Sequence, residues 1–206
     1  MKAIFKVTAV AALMAAGLSS AMAASGSGSA GVLVHGNVVP VACTMGPDAS
    51  APRDVNLGNW TESDFVSGAS APLSGLFFVP NSQQTFAITA TGCSGTPPKE
   101  NGEFLLNIDA STPMRNAASK ILGDSSKANG TLAGFSLEAA DKSVPNAPEQ
   151  LWAAGDSLVL HKFTSGEGWN AVNNSSILFT THMVATTATP GTGHVEAPVT
   201  FTVDYK

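Results

Sequence analysis

The stretch Val195–Lys206, "VEAPVTFTVDYK", alternates strictly through its second half. Val199, Phe201, Val203 and Tyr205 fall on one face of an extended strand, and Thr200, Thr202 and Asp204 on the other, because strand side chains alternate with period two. Chain ends are usually frayed and dispensable. A strongly patterned strand that runs to the penultimate residue is therefore expected to have a partner, and the rest of the sequence bears on which one.

At the opposite end, "MKAIFKVTAVAALMAAGLSSAMA" has Lys2 and Lys6, an uncharged apolar stretch from about Val7 to Leu18, and Ala21 and Ala23 on either side of Met22. This layout predicts a secretory signal peptide over 1–23 with cleavage after Ala23. The apolar run is too short for an ordinary membrane span. Only 12% of the 206 residues are charged, with a formal net charge of −5 and no cluster of lysines and arginines. A nucleic-acid partner is not expected, since its electrostatic footprint would need clustered basic side chains. The length after the leader suits one domain with a proper core.

Cys43 and Cys93 are the only cysteines. In an oxidising compartment they are expected to pair, and closing the loop between them would stabilise the fold by roughly 4 kcal/mol on the chain-entropy estimate. No C-x-x-C spacing points to redox or zinc chemistry.

Between the ends, "ASGSGSAG" is a Gly/Ser tract. The segments "VLVHGNVVPVAC", "RDVNLGNW", "GLFFVP", "QTFAITATGC", "EFLLNI", "GFSLEA", "DSLVLHKF" and "SILFTTHMVAT" read as short strands. Clusters such as "SGTPPKENG" and "VPNAPEQ" separate them as turns. Only "MRNAASKIL" suggests a short helix. Many short strands in a secreted chain with one disulfide predict an antiparallel sandwich or barrel. In an immunoglobulin-like sandwich, the terminal strand would lie beside a position for which no sequence remains. An apolar groove with unpaired backbone groups is an aggregation hazard, so another chain is expected to supply the strand.

These features together resemble the subunits of chaperone-usher fimbriae, the pilins of Gram-negative bacteria related to type 1 fimbriae. The resemblance rests on the leader, "VHGNVVPVAC" before the first cysteine, "VNLG", "TFAITATGC" at the second cysteine, and "FTTHMVAT" through "VTFTVDYK". It implies an all-β, incomplete immunoglobulin-like sandwich lacking its last strand, which a donor strand from another subunit completes. By this likeness the chain divides into a signal peptide (1–23), a donor extension (24–35) and a pilin domain (36–206). The implied partners are a periplasmic chaperone, an outer-membrane usher and neighbouring subunits, and the implied route runs through the periplasm to a cell-surface fimbrium. Val32 and Val34 are in phase to fill pockets of a neighbour's groove, and Ala30 and Gly28 are the in-phase candidates for its constricted point. Val199, Phe201, Val203 and Tyr205 would line the groove edge and pair with the chaperone, whose basic residues would hold the carboxylate of Lys206.

Catalytic and metal sites are not expected. His35, His161, His182 and His194 form no metal-binding spacing and read as surface or turn residues. Glu103, Asp109, Glu138 and Asp141 read as solvated strand ends rather than paired catalytic carboxylates. No cofactor is implied. Trp60, Trp152 and Trp169 lie in predicted loops and are expected to cap the sandwich ends. A sharper alternative makes the subunit itself a polyvalent adhesin, with Trp169 and Asn170 in "FTSGEGWNAVNNSS" as the candidate surface for a host glycan or receptor. The polar inserts around Gly95–Gly102 and Ser143–Gln150 leave room for such a site.

Overall fold

The computed structural model describes residues 41–46, 54–95, 98–126, 130–142 and 144–206. The leader expected over 1–23 and the donor extension expected over 24–35, with Ala30, Val32 and Val34, lie outside the described residues. Those described belong to one unit, Val38–Lys206, and contain β-strands and three short 3-10 turns but no α-helix.

Five strands form one sheet: β1 (Val41–Gly46), β4 (Gln84–Gly95), β12 (Ser176–Thr181), β9 (Glu138–Ala140) and β10 (Glu149–Leu151), in that order. Three form a second, with β5 (Glu103–Ile108) between β11 (Ser157–Lys162) and β14 (Phe201–Tyr205). The third sheet is made of very short strands, in the order β2 (Val66–Ser67), β3 (Phe77–Phe78), β13 (Met183–Ala185), β8 (Gly134–Phe135), β7 (Ile121–Leu122) and β6 (Met114–Asn116). Every strand pair is antiparallel. The architecture is an immunoglobulin-like β-sandwich.

The alternating residues supply the core. Ile88 and Ala90 of β4, Ile177 and Phe179 of β12, Phe104, Leu106 and Ile108 of β5, and Leu158 and Leu160 of β11 form one buried cluster. Cys43 and Cys93 are disulfide-bonded with their Cα atoms 4.1 Å apart. They join β1 to β4 at a bulge, where Cys43 faces both Gly92 and Cys93 because Ala42 pairs with Ser94 and Thr44 with Thr91. Gly92, at φ +61°, takes the left-handed conformation that this bulge needs.

Two local expectations are corrected. "MRNAASKIL" is a hairpin of β6 and β7 rather than a helix. Asn116 Oδ1 accepts the Ser119 N–H at 3.0 Å and Lys120 sits at φ +54°, so the polar turn overrides a weak helical propensity. The segment 54–60 contains no strand, although Val55 and Leu57 alternate in phase, because no neighbouring chain segment pairs with it among the described residues.

Candidate functional site: a groove beside the last strand

β14 has a strand partner on one side only among the described residues. Its register with β5 runs from Phe201 opposite Ile108 to Tyr205 opposite Phe104. The Asp109 N–H donates to Thr200 O at 2.9 Å, and the Glu103 and Lys206 main chains exchange bonds of 2.7 and 3.1 Å. Alternation along an antiparallel ladder then turns the N–H and C=O groups of Phe201 and Val203 away from β5. β1 lies on that open side without pairing to β14.

A groove of about 1300 Å³ opens there. Phe86 and Ile88 of β4 belong to its floor, Leu57 and Met45 to one wall, and Val199 and Phe201 to the other. The inward side chains of β14 are half-buried throughout, whereas Phe104, Leu106 and Ile108 on the adjoining strand are 0, 0 and 1% exposed. The difference arises because β5 is covered on both flanks and β14 on one. Phe201 packs with Phe179 at 5.2 Å and Phe86 at 6.4 Å between ring centroids, and Phe86 stacks on Phe179 at 5.4 Å. This aromatic layer gives the groove an apolar floor that an alternating strand could cover.

Val199 and Phe201 line the groove, as the sequence reading expected. Val203 is half-buried and packs on the core without lining it. Tyr205 anchors the strand instead. Its ring lies 5.7 Å from Phe163 and 5.3 Å from Trp169, and its hydroxyl accepts the Lys99 N–H. The Lys206 side chain is exposed and 3.8 Å from Glu103 Oε2. Gly102 leaves space for the tyrosine, since a Cβ there would lie 2.7 Å from Tyr205 Cε2. Gly102→Ala is therefore expected to destabilise the fold by about 1 to 3 kcal/mol through overpacking. Urea unfolding would measure this, and an unchanged midpoint would remove Tyr205 as the anchor.

Trp169 is 8% exposed and packs edge-to-face on Phe104 and Phe163 at 5.9 and 5.3 Å. The indole is thus a core group behind Tyr205 rather than a stacking platform, and only Asn170 of the candidate receptor pair is exposed. Trp152 is also buried, with its Nε1–H donating to Ala139 O at 2.9 Å. In the same loop, Glu167 accepts the Thr164 N–H at 2.7 Å and sits 3.1 Å from His161 Nε2. The Thr164 bond first, and His161 second, hold its carboxyl below the ordinary range.

A second correction lies beneath the groove. Glu138 and His182, read from sequence as solvated, are 2 and 7% exposed and paired at 2.8 Å between Oε1 and Nδ1. The Ser136 hydroxyl donates to Glu138 Oε1 at 2.5 Å and accepts the His182 N–H at 2.9 Å. The Ser136 hydroxyl is directed to the carboxylate and not to the imidazole, and Ser136 is 1% exposed. The cluster sits where β8 passes into β9 and β12 into β13, each changing sheets, and it satisfies backbone groups that the ladders release there. Among the described residues, no three His, Cys, Asp or Glu side chains converge to hold a metal ion.

The family model described as "Fimbrial protein" matches residues 32–206. No curated protein matches the chain.

Proposed function

Because the chain belongs to the fimbrial protein family, we infer that it is a structural, non-enzymatic subunit of a chaperone-usher fimbria that polymerises by donor-strand exchange and supports bacterial adhesion. The observation that carries this reading is the apolar groove along the edge of β14 that has no strand partner among the described residues, with backbone groups of Phe201 and Val203 turned toward it. A strand laid in the groove gains main-chain hydrogen bonds from that edge and buries alternate side chains, which is how β-augmentation works. Val32 and Val34 of a neighbouring subunit fit this role by phase, with Ala30 or Gly28 following toward the N-terminus. A periplasmic chaperone would hold the groove first, an outer-membrane usher would receive the subunit, and export would end at the surface fimbrium. The polyvalent-adhesin alternative, with loop insertions forming the site, loses the Trp169 ring, which is buried, and keeps the exposed Asn170.

A synthetic peptide of residues 26–37 tests the reading. It is expected to co-elute with the purified chain. A peptide carrying Val32→Asp and Val34→Asp is expected to bind at least about 100-fold more weakly, because each valine contributes roughly 1.5 to 3 kcal/mol when buried. Equal binding of the two peptides would defeat it.

A further inference from the structure

The two walls of the groove are held in different ways. The wall at 190–200 is tied to structure behind it: Leu132 N–H donates to Pro190 O at 2.6 Å, Asp124 N–H to Glu196 O at 2.7 Å, and Asp109 N–H to Thr200 O at 2.9 Å. The wall at 54–65 is tied mainly to itself. Gly58 N–H donates to Asn56 Oδ1 at 2.8 Å, Trp60 Nε1–H to Leu57 O at 2.5 Å, and Phe65 N–H to Glu62 O at 3.3 Å. Among the described residues, its one hydrogen bond to a distant part of the chain comes from the opposite wall, where Gly191 N–H donates to Glu62 Oε1 at 2.8 Å.

The residues on both sides hold this bond in place. Thr61 N–H and Thr61 Oγ1–H both donate to Asp64 Oδ2 at 2.7 Å, which caps the short turn that carries Glu62. The threonine hydroxyl, then its N–H, keep the Asp64 carboxyl below the ordinary range. Gly191 sits at φ +81°, a conformation that favours glycine. The wall also buries Leu57, at 7% exposed, in the groove.

We propose that Glu62 and Gly191 form a latch between two segments that line the groove: the 54–65 wall is released when this bond opens, so that latch opening gates strand insertion. The gate deepens the strand-acceptor reading and rests on it. With local bonds and one long-range hydrogen bond among the described residues, this wall opens at the cost of that bond, the Leu57 contact and the packing of the half-buried Val55, Trp60 and Phe65, below the cost of opening a strand ladder.

Two readouts on the full chain test the latch. In Glu62→Ala, amide hydrogen exchange at Gly191 and across 54–60 is expected to quicken about fivefold, the factor that corresponds to one net hydrogen bond of about 1 kcal/mol. The association rate of a fluorescent peptide of residues 26–37 is expected to rise by a similar factor. Glu62→Gln keeps an acceptor oxygen and is expected to stay near the parent protein in both. Unchanged exchange in Glu62→Ala would show that the bond does not hold the wall. Faster exchange with an unchanged peptide rate would show that the wall does not gate insertion. If exchange responds but the peptide binds neither protein, the strand-acceptor reading itself falls, and the gate with it.

Discussion

Deleting residues 24–34 and fusing "GSGSAGVLVHGN" after Lys206 through a short flexible linker is expected to raise the melting temperature by on the order of 10 to 20 °C over the same deletion without the fusion. The size follows from what the groove leaves uncovered. Val199, Phe201 and Val203 are half-buried although they face the core side, and Phe86 beneath them is also half-buried. Two valines placed over this layer contribute roughly 3 to 6 kcal/mol together, and each kilocalorie moves the midpoint of a domain of this length by about 2 to 4 °C. Hydrogen bonds to the free main chain of Phe201 and Val203 add to that gain. Because β14 leads directly to Lys206, the linker returns the added strand antiparallel to β14, which a hairpin permits. Differential scanning calorimetry would read the shift. A fusion bearing Val32→Ser and Val34→Ser within the added strand should lose most of it. If the deleted chain already melts high and the fused strand leaves it unmoved, the sandwich is complete without a donor and the exchange mechanism is wrong.

The parts of this fold that were legible in the sequence are those where one physical rule acts alone. β4, β11 and β12 follow from alternation, since Phe86, Ile88 and Ala90, or Leu158 and Leu160, have one face to bury, and β5 from its apolar run, buried on both faces at Phe104, Leu105 and Leu106. The disulfide follows from the cysteine count and the oxidising compartment expected from the leader. What stayed hidden depends on tertiary partners. Glu138 and His182 lie far apart in sequence and neither position is marked by a motif, so nothing local tells a buried pair from two solvated groups. Trp169 sits in a polar Gly-rich stretch, yet the 3-10 turn Trp169–Ala171 points its ring at Tyr205. For 54–60 the alternation of Val55 and Leu57 predicts a strand, and the structure has none there, because a strand also needs a neighbour. The groove itself was legible only as an unmatched edge, and its walls, with the Glu62–Gly191 bond, were not.

Glu138→Ala and His182→Ala are each expected to cost about 3 to 5 kcal/mol, because either change leaves the other ionisable group buried without its partner. Glu138→Gln should cost far less, about 1 kcal/mol, since the amide oxygen can still accept from Ser136 and from the imidazole. A merely space-filling role for the carboxylate would instead make Gln and Glu equivalent. The cluster borders the groove through Ser136 and Thr181, whose side chains or backbone line it, and the Thr181 hydroxyl donates to Ser136 O at 2.7 Å. That position permits a sharper measurement than stability alone. If the cluster only secures the crossing of β8–β9 and β12–β13, Glu138→Ala should cost the same in the deleted chain and in the strand-fused chain, since distant and independent sites add within about 0.3 to 0.5 kcal/mol. If it also shapes the groove floor, the stabilisation from the fused strand should shrink in the variant, giving a coupling of 0.5 kcal/mol or more on the same scale. We expect the coupled result, because Phe135 and Leu137 flank Ser136 and all three residues line the groove. A shift of the serine backbone therefore reaches the surface on which a donor strand would rest, and additivity in the two backgrounds would confine the pair to holding the sheets together.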